Sequence, residues 1–446
     1  MSLSADKNHF LPTAATVRLG VMLVILFGSL SFSQAQNASP YSRYGLGYLR
    51  TPAFSANRGM AELAAPYASS QYVNFVNPAS YASINRSAIQ MGVSLDGSSI
   101  LVKNNTYKSF TGSFDHLAFG FSPKPNVWGI SLGLVPYSNV NYTFTEDKTD
   151  SVIGAYRGVY SGSGSLYQAY VGGAYKTHGF SIGANLGYLF GKLDYEKAVS
   201  FPDSLLAYNT RNVTSMNISS FAYNVGAQYQ VKIYHNSDTA DSRSEIFMTI
   251  GAYGNGGVKM NATVNSRWER FVVSSSGVLP IDTQQLSESQ KSKIAAPMNL
   301  GAGVMFGNEL FWMIGADFRY SNWQGFNSPL HNNEIGNSWR VNIGGQVIPS
   351  YGDRGNYLAR VQYRFGGYFG KSEAQFQGTN LNDYGGTIGF GFPFKATRFF
   401  QGSLNLSGNY GSRGGSSTNV IRENYYHIAF GFVLNDREWF IKRKFD

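Results

Sequence analysis

Five charged residues in the C-terminal half of the chain have the types and spacing to bind an anion. They are Asp317, Arg319, Arg340, Arg360 and Arg364. An arginine side chain presents a planar fork of N–H donors that matches a carboxylate or a phosphate. Two interpretations stay open: a site for such a head group, or an internal network in which the arginines pair with acids such as Asp317 or with another part of the chain.

Other residues that could perform chemistry are absent or scattered. The chain has no cysteine, which excludes disulfides and thiol chemistry. Its histidines are dispersed: His9, His116, His178, His235, His331 and His427. None of them pairs at the i, i+4 spacing of metal ligands, and nothing in the sequence places a serine nucleophile beside one. We therefore predict no metal, no cofactor and no enzymatic activity.

The charged residues lie in segments that alternate with a period of two. Between 338 and 348, Trp339, Val341 and Ile343 occupy the odd positions, whereas Arg340 and Asn342 occupy the even ones. A strand with one face toward lipid and one toward a lumen has this pattern, whereas a helix would repeat every 3.6 residues. Hairpin connections would make three consecutive strands neighbours, so the five charged residues should share one patch of inner wall.

Windows with this alternation recur along the chain and predict fourteen strands. They are 86–95, 106–122, 127–144, 164–176, 179–195, 216–232, 244–256, 295–307, 309–321, 338–348, 356–369, 382–393, 397–410 and 425–434. The connections alternate between short turns and long polar loops, which is the asymmetry of outer-membrane barrels. The predicted fold is therefore all-β, a 14-stranded antiparallel transmembrane β-barrel over residues 86–434.

Composition supports this fold and an exported location. Charged residues are only 14% of the chain, while Tyr, Phe and Gly number 30, 32 and 51. Residues 1–35 read as a signal peptide: basic residues precede a short apolar run, and the run ends at the small-x-small site Ser33-Gln34-Ala35. The net charge of +10 could suit nucleic acid, but export makes nucleic acid an improbable partner. We predict an outer-membrane protein of a Gram-negative bacterium, with the lipid bilayer as a partner and both termini periplasmic.

Two pieces lie outside the predicted barrel. The N-terminal segment, defined as residues 36–85, ends in the apolar stretch 71–85, in which Pro78 prevents an ordinary central strand. Fourteen strands enclose more space than wall side chains fill, so we predict that this segment is a hatch inside the lumen, with a short helix over 56–68. The other piece, 435–446, is predicted to be a basic periplasmic tail that is solvated or docks a partner.

These features resemble the long-chain fatty-acid transporter (FadL-type) superfamily of outer-membrane proteins. The resemblance rests on the signal peptide, the fourteen strands and Asn77-Pro78-Ala79 just before the first strand, with AELAAPYASSQ at 61–71 before it. The start SPYSRYGLG at 39–47 is similar to a Bacteroidetes-type branch. The resemblance implies a plugged barrel whose hydrophobic ligand leaves by movement of the hatch or through an opening in the wall. It also implies Asn77, Pro78 and Ala79 as hatch residues, although they could simply turn the chain into the first strand.

Two functions from different classes follow. The first is a transporter or channel for hydrophobic or amphipathic small molecules, gated by the hatch. The alternative is a non-transporting barrel subunit of an envelope or type IX secretion assembly, which would bind an envelope protein through its long loops and basic tail. A continuous apolar pocket favours the first, whereas a packed lumen with an exposed apolar surface on the 257–294 loop favours the second.

Overall fold

The computed structural model describes most of the chain beyond the predicted signal peptide. The described residues are 40–43, 45–102, 105–152, 154–201, 208–234, 245–274, 277–327, 335–350, 356–376, 378–395, 400–414 and 422–436. The predicted signal peptide and most of the predicted basic tail therefore lie outside the described residues. No helix in the described part of the chain is long and apolar enough to cross a membrane.

Within the described residues the chain forms strands and a few short helical turns. The strands are β1 Tyr48–Leu49, β2 Ser87–Val102, β3 Asn105–Lys124, β4 Trp128–Asp150, β5 Gly154–Thr177, β6 Phe180–Ser200, β7 Asn209–Tyr234, β8 Ile246–Asn255, β9 Lys259–Ser274, β10 Gly277–Ala295, β11 Met298–Asn308, β12 Trp312–Asn322, β13 Ser338–Val347, β14 Gln362–Phe376, β15 Thr379–Lys395, β16 Phe400–Arg413 and β17 Arg422–Asp436. The α-helix α1 is Ser55–Arg58, and 3-10 helices span Pro40–Arg43, Pro78–Ser83 and Tyr357–Arg360.

Fourteen of these strands, β2–β8 and β11–β17, form a closed antiparallel barrel. Each pairs with its neighbour along the chain, except that β8 pairs with β11 across the inserted hairpin β9–β10. The barrel closes where β17 pairs with β2 from Asp436↔Ser87 to Arg422↔Leu101. Closure pairs the first and last strands of the barrel along their lengths, so neither leaves an edge toward lipid, where unpaired backbone groups would be costly. The prediction of a 14-stranded transmembrane barrel is confirmed.

The period-two pattern separates the two faces of the wall as predicted. Ile182 and Leu186 of β6 are 55% and 57% exposed, whereas the intervening side chains are buried or small. Ile343 of β13 is likewise 55% exposed, and its neighbour Asn342 is fully buried. Apolar side chains thus face lipid, and polar side chains face the lumen.

The two ends of the barrel differ in their connections. At one end, here the short-turn end, His178 and Gly179 form the whole connection between β5 and β6, and both have positive φ, as a tight hairpin turn requires. The other end, the long-loop end, carries strands that continue well past a bilayer's thickness. The strand β7 has 26 residues, whereas about 9–11 suffice to span a membrane.

Three predicted elements differ from the structure. The helix expected over 56–68 is only α1, since the following residues form turns with positive φ at Ala61 and Glu62. The predicted loop 257–294 contains the hairpin β9–β10, whose strand β9 pairs with the long-loop end of β7. The strand predicted from 356 begins at Gln362, because Tyr357–Arg360 is a 3-10 helix. Arg360 therefore does not lie on a strand.

Candidate functional site

The N-terminal segment contacts strands from every side of the barrel. Nearly every residue from Ala53 to Ile84 is buried, and together with inward-facing wall residues they form one apolar cluster. The N-terminal segment also forms hydrogen bonds with wall residues that are distant in sequence. The amide N–H of Ala61 donates to Thr387 on β15 at 2.9 Å, and Asn185 on β6 donates to the carbonyl of Phe75 at 3.1 Å. These contacts place the segment inside the barrel, against the inner faces of its strands.

Asn77, Pro78 and Ala79 lie against the inner faces of β6, β7 and β8. Asn77 caps the 3-10 helix Pro78–Ser83, because its side-chain oxygen accepts from the N–H of Ala79 at 3.2 Å. Its amide group donates to the carbonyls of Ala65 at 2.7 Å, Ala252 at 3.4 Å and Ala227 at 3.5 Å. The motif therefore turns the chain toward β2 and also attaches the segment to itself and to two strands of the wall.

Glycines on the wall allow the segment to approach the strand backbones. A Cβ added at Gly344 would lie 2.6 Å from the carbonyl oxygen of Met60, and one at Gly366 would lie 2.6 Å from the nitrogen of Ala61. The same holds at Gly129, Gly183, Gly251 and Gly389, whereas at Gly226 and Gly431 the closest atoms belong to the side chains of Asn77 and Ser55. Real Cβ atoms do not approach backbone this closely, so these positions require glycine for contact with the segment.

Asp317 and Arg319 on β12 bind the backbone of the N-terminal segment. Asp317 accepts from the N–H groups of Ala64 at 2.8 Å and Ala65 at 3.3 Å, while Asn342 donates to its other oxygen at 2.6 Å. Arg319 donates to the carbonyl oxygen of Glu62. The charged residues were expected either to bind a head group or to pair with another part of the chain. Asp317 and Arg319 pair with the N-terminal segment.

Glu62 is the centre of a buried ionic network. Its carboxylate lies 3.3 Å from Arg58 on the same segment and 3.6 Å from both Arg319 and Arg340 on the wall. Burial alone would raise the pKa of Glu62, but the three arginines outweigh burial and hold the pKa below its usual value. Glu62 is therefore ionised at neutral pH and links the segment to the long-loop half of the wall.

The remaining predicted arginines lie elsewhere. Arg364 lies near the short-turn end of β14. Arg340 pairs with Gly370 on this strand, six residues from Arg364. At 3.3 Å per residue, the two arginines are therefore about 20 Å apart along the wall. Arg364 donates to Gln346 and Asn405 at 2.7 Å each, and to Gln362 and Tyr72. Arg360 lies in the 3-10 helix before β14, over the ring of Tyr357. The five predicted residues thus do not form one patch.

Arg340 lies at the junction of two cavities on the long-loop side of the segment. The larger, about 280 Å³, extends from Phe75 and Val76 of the segment to the wall and includes Tyr137, Tyr170, Tyr253, Met260 and Leu300 in its lining. The smaller, about 100 Å³, is polar and lies among Glu62, Asp96, Thr111 and His427. A third cavity, about 190 Å³, lies at the short-turn end beside Ser70 and Glu309.

Several charged residues around these cavities were not predicted from the sequence. Arg413 and Asp96 lie on the inner face of β16 and β2, just past the predicted strand ends at 410 and 95. Arg50 pairs with Asp96 at 2.7 Å, and Arg413 with Asp383 at 3.3 Å. Extending the alternation by a few residues would have placed Asp96 and Arg413 on the lumen face. No pattern pointed to Arg50. The described residues contain no group of three or more His, Asp or Glu side chains that could hold a metal ion.

Comparison of folds identifies the class of protein to which this barrel belongs. A FadL homologue of Pseudomonas aeruginosa has 11% identity over 88% of this chain and 100% of its own, with a TM-score of 0.55. The toluene transporter TbuX of Ralstonia pickettii has 11% identity over 86% and 99%, with a TM-score of 0.53. The toluene transporter TodX of Pseudomonas putida has 14% identity over 87% and 99%, also with a TM-score of 0.53. The chain is an outer-membrane β-barrel protein with the FadL-type fold.

The sequence also places the chain in a family. Residues 17–446 match the model of the BamG family, and the chain belongs to that family. No curated protein sequence matches the chain.

Proposed function

We propose that the chain is an outer-membrane channel for hydrophobic or amphipathic small molecules, gated by the N-terminal segment acting as a hatch. The observation that carries this proposal is the 280 Å³ cavity, which lies between the segment and the long-loop end and has a mainly aromatic and aliphatic lining. Apolar pockets with a few polar groups are typical ligand sites. The names of the similar structures TodX and TbuX as toluene transporters support the same ligand class.

The hatch role follows from where the cavities lie. The segment separates the 280 Å³ cavity from the 190 Å³ cavity at the short-turn end, so a ligand passing between the ends must displace part of it. Asn77, Pro78 and Ala79 are the proposed hinge, since they join the segment to β2 and hold it to the wall. A seam in the wall offers a second exit. The strand β3 pairs with β4 only from Leu117 to Lys124, and β1 of the segment pairs with β4 beyond that point.

We orient the barrel with its short-turn end toward the periplasm, as is general for outer-membrane barrels. The strand β17 ends at Asp436 at that end, which supports a periplasmic C-terminus. Ser42 of the first 3-10 helix bonds Asn141 on β4, in the long-loop half of the wall. The residues before Pro40 lie outside the described part of the chain, so the periplasmic N-terminus stays a prediction.

A reversible cross-link tests the gate. An ideal Cβ at Gly120 on β3 lies 3.7 Å from the Cβ of Val73 in the segment, within the range for a disulfide. The chain has no cysteine of its own. In the double variant Val73→Cys, Gly120→Cys, the two introduced cysteines would therefore form a disulfide that holds the segment to the wall when oxidised. We expect oxidation to slow uptake of radiolabelled toluene and dodecanoate by Gram-negative cells expressing the protein, and a reductant to restore it.

The two single variants, treated with the same oxidant, are the matched controls. They carry the same substitutions without the cross-link, so their uptake should not change on oxidation. Equal uptake by the oxidised and reduced double variant would show that the ligand passes without movement of this part of the segment. Uptake no faster than in cells without the protein would reject the channel itself.

A further inference from the structure

We propose that the base of the hairpin β9–β10 binds a phosphate-bearing glycolipid of the outer leaflet through three lysines on the outer surface of the wall. They are Lys259, Lys291 and Lys293, and all three are exposed. The site requires the short-turn end to face the periplasm, because the hairpin continues the long-loop half of the wall. It is independent of what passes through the lumen.

The three lysines share the outer face of the hairpin. Met260 and Ile294 are cross-strand partners that are 1% and 0% exposed and pack in an apolar cluster with interior residues of the long-loop half. Successive residues of a strand point to opposite faces. Lys259 and Lys293 each precede one of these buried residues, and Lys291 lies two positions before Lys293. All three side chains therefore point away from the interior.

The rows of the barrel wall continue across this hairpin. Cross-strand partners share a face, and one row crosses β6, β7, β9 and β10: Lys192, Asn217, Thr263 and Lys291. The next row toward the short-turn end crosses the same strands: Phe190, Ser219, Asn261 and Lys293. Tyr188 and Phe221 form the pair below on β6 and β7. The lysines thus lie on the same face as these lipid-facing aromatic rings.

The aromatic rings mark the boundary between lipid and water. Tyr188 is 43% exposed, and Phe221, with its ring centroid 5.5 Å away, is 69% exposed. Outward from these rings the same face becomes polar, at Ser219 on β7 and at Lys192 on β6. Aromatic side chains form girdles at the interfaces of outer-membrane barrels. The lysines of the hairpin are therefore at the level of the lipid head groups.

The lysines are close together and lack counter-ions. Lys291 and Lys293 are about 7 Å apart along β10, and Lys259 lies diagonally across from Lys293, at about 7–8 Å. The structure gives none of the three an ion pair among the described residues, whereas Lys192 pairs with Asp194 at 2.9 Å. Basic clusters without counter-ions at head-group level attract anionic lipids. One phosphate-bearing head group can reach all three.

Polar side chains among the lysines favour a sugar over a simple phospholipid. Ser219 and Asn261 are exposed cross-strand partners on the same face, and Thr263 is the next outward residue on β9. Hydroxyl and amide groups both donate and accept hydrogen bonds, which suits the hydroxyls of a sugar. A head group with phosphates on a sugar would use both kinds of side chain.

Binding of lipid A to the full chain in neutral detergent tests this site. Native mass spectrometry measures the fraction of protein that retains the lipid over a series of lipid concentrations. We expect phosphorylated lipid A to bind more tightly than its dephosphorylated form and than phosphatidylglycerol. The triple variant Lys259→Gln, Lys291→Gln, Lys293→Gln should weaken binding of lipid A by roughly fivefold for each lysine, or about a hundredfold in total, as expected for basic residues at an anionic surface.

A second triple variant is matched in charge and removes exposed lysines of β3, β4 and β7: Lys108→Gln, Lys148→Gln, Lys232→Gln. It should weaken lipid A by less than about fivefold, because these lysines do not adjoin the hairpin. Equal losses in the two variants would mean that affinity follows net charge, and the site would be wrong. Equal binding of phosphatidylglycerol would reject the glycolipid, and equal binding of dephosphorylated lipid A would reject the phosphates. The uptake experiment on the channel is unaffected by each of these outcomes.

Discussion

Arginine side chains on the inner wall have different roles, and their partners decide which. Arg364 is 2% exposed and donates to four side chains, so its role is structural. Arg319 binds the segment through the carbonyl of Glu62. Arg340 shares the same face and chemistry, but its Nη1 atom lies 3.6 Å from the carboxylate of Glu62 and its guanidinium lies over the ring of Tyr368. An arginine at any of these positions could bind the wall, the segment or another group, and the side chains and backbone around it decide which.

Glu309 supports a pH prediction at the scale of one residue. It lies in the turn between β11 and β12 and accepts hydrogen bonds from the N–H and hydroxyl of Ser70. Burial raises the pKa of Glu309, and the bonds from Ser70 and the charge of Arg86 only partly oppose it. A raised pKa favours the protonated form in the fold, so its stabilising contribution is present below the usual value of about 4.3 and is lost as pH rises through the folded value.

The variant Glu309→Gln is a neutral mimic of the protonated form and should not show this loss. We expect its unfolding midpoint to match that of wild type near pH 4 and to exceed it increasingly toward neutral pH. Heat-dependent migration on gels, or scanning calorimetry in nanodiscs over a series of pH values, would measure the difference. A constant difference between the two proteins at every pH would contradict the assignment.

Strands carry the glycines that let the N-terminal segment pack inside the wall, and two adjacent glycines of β14 provide a matched test. A Cβ at Gly366 would lie 2.6 to 2.8 Å from Met60 and Ala61, whereas one at Gly367 meets nothing closer than 3.6 Å. Gly366→Ala should therefore destabilise the protein by about 1–3 kcal/mol through overpacking. Gly367→Ala should leave stability nearly unchanged. Denaturant unfolding of both variants would separate the effects, and equal losses would argue against close packing of the segment at β14.

At the scale of the whole molecule, the backbone pairing that closes the barrel depends very little on the N-terminal segment. The closing pair β17–β2 and the ladder of the other strands use no residue of 39–85, except that β1 pairs with β4 at Ser138 and Asn139. Deleting 39–85 should therefore leave a folded barrel. Its lumen would be open, because fourteen strands enclose more than wall side chains fill.

We expect liposomes with the deleted form to take up small polar solutes faster than liposomes with the full chain. Solute-driven swelling measures the rate, and far-ultraviolet circular dichroism checks that the strand content is retained. The full chain in the same lipid is the control. Equal swelling rates for two folded proteins would mean that the segment does not close the lumen.

The amino-acid sequence alone determined the barrel. Period-two alternation depends only on which residues face lipid and which face the lumen, so the windows around β6 and β13 identified strands without knowledge of their partners. The ends of strands were less predictable. Beyond the bilayer there is no lipid to demand apolar side chains, so the alternation weakens where β2, β7 and β16 continue toward the long-loop end. The hairpin β9–β10 was missed for the same reason.

Only the tertiary structure decided which polar residues meet. The register of β12 against β13 sets Arg319 opposite Arg340, and the path of the segment brings Glu62 between them. Arg364 lies on the neighbouring strand but about 20 Å away along it. Positions in sequence cannot specify distance along a strand until the register is known. The alternation therefore predicted the face of each arginine, whereas the packed segment and the register determined its partners.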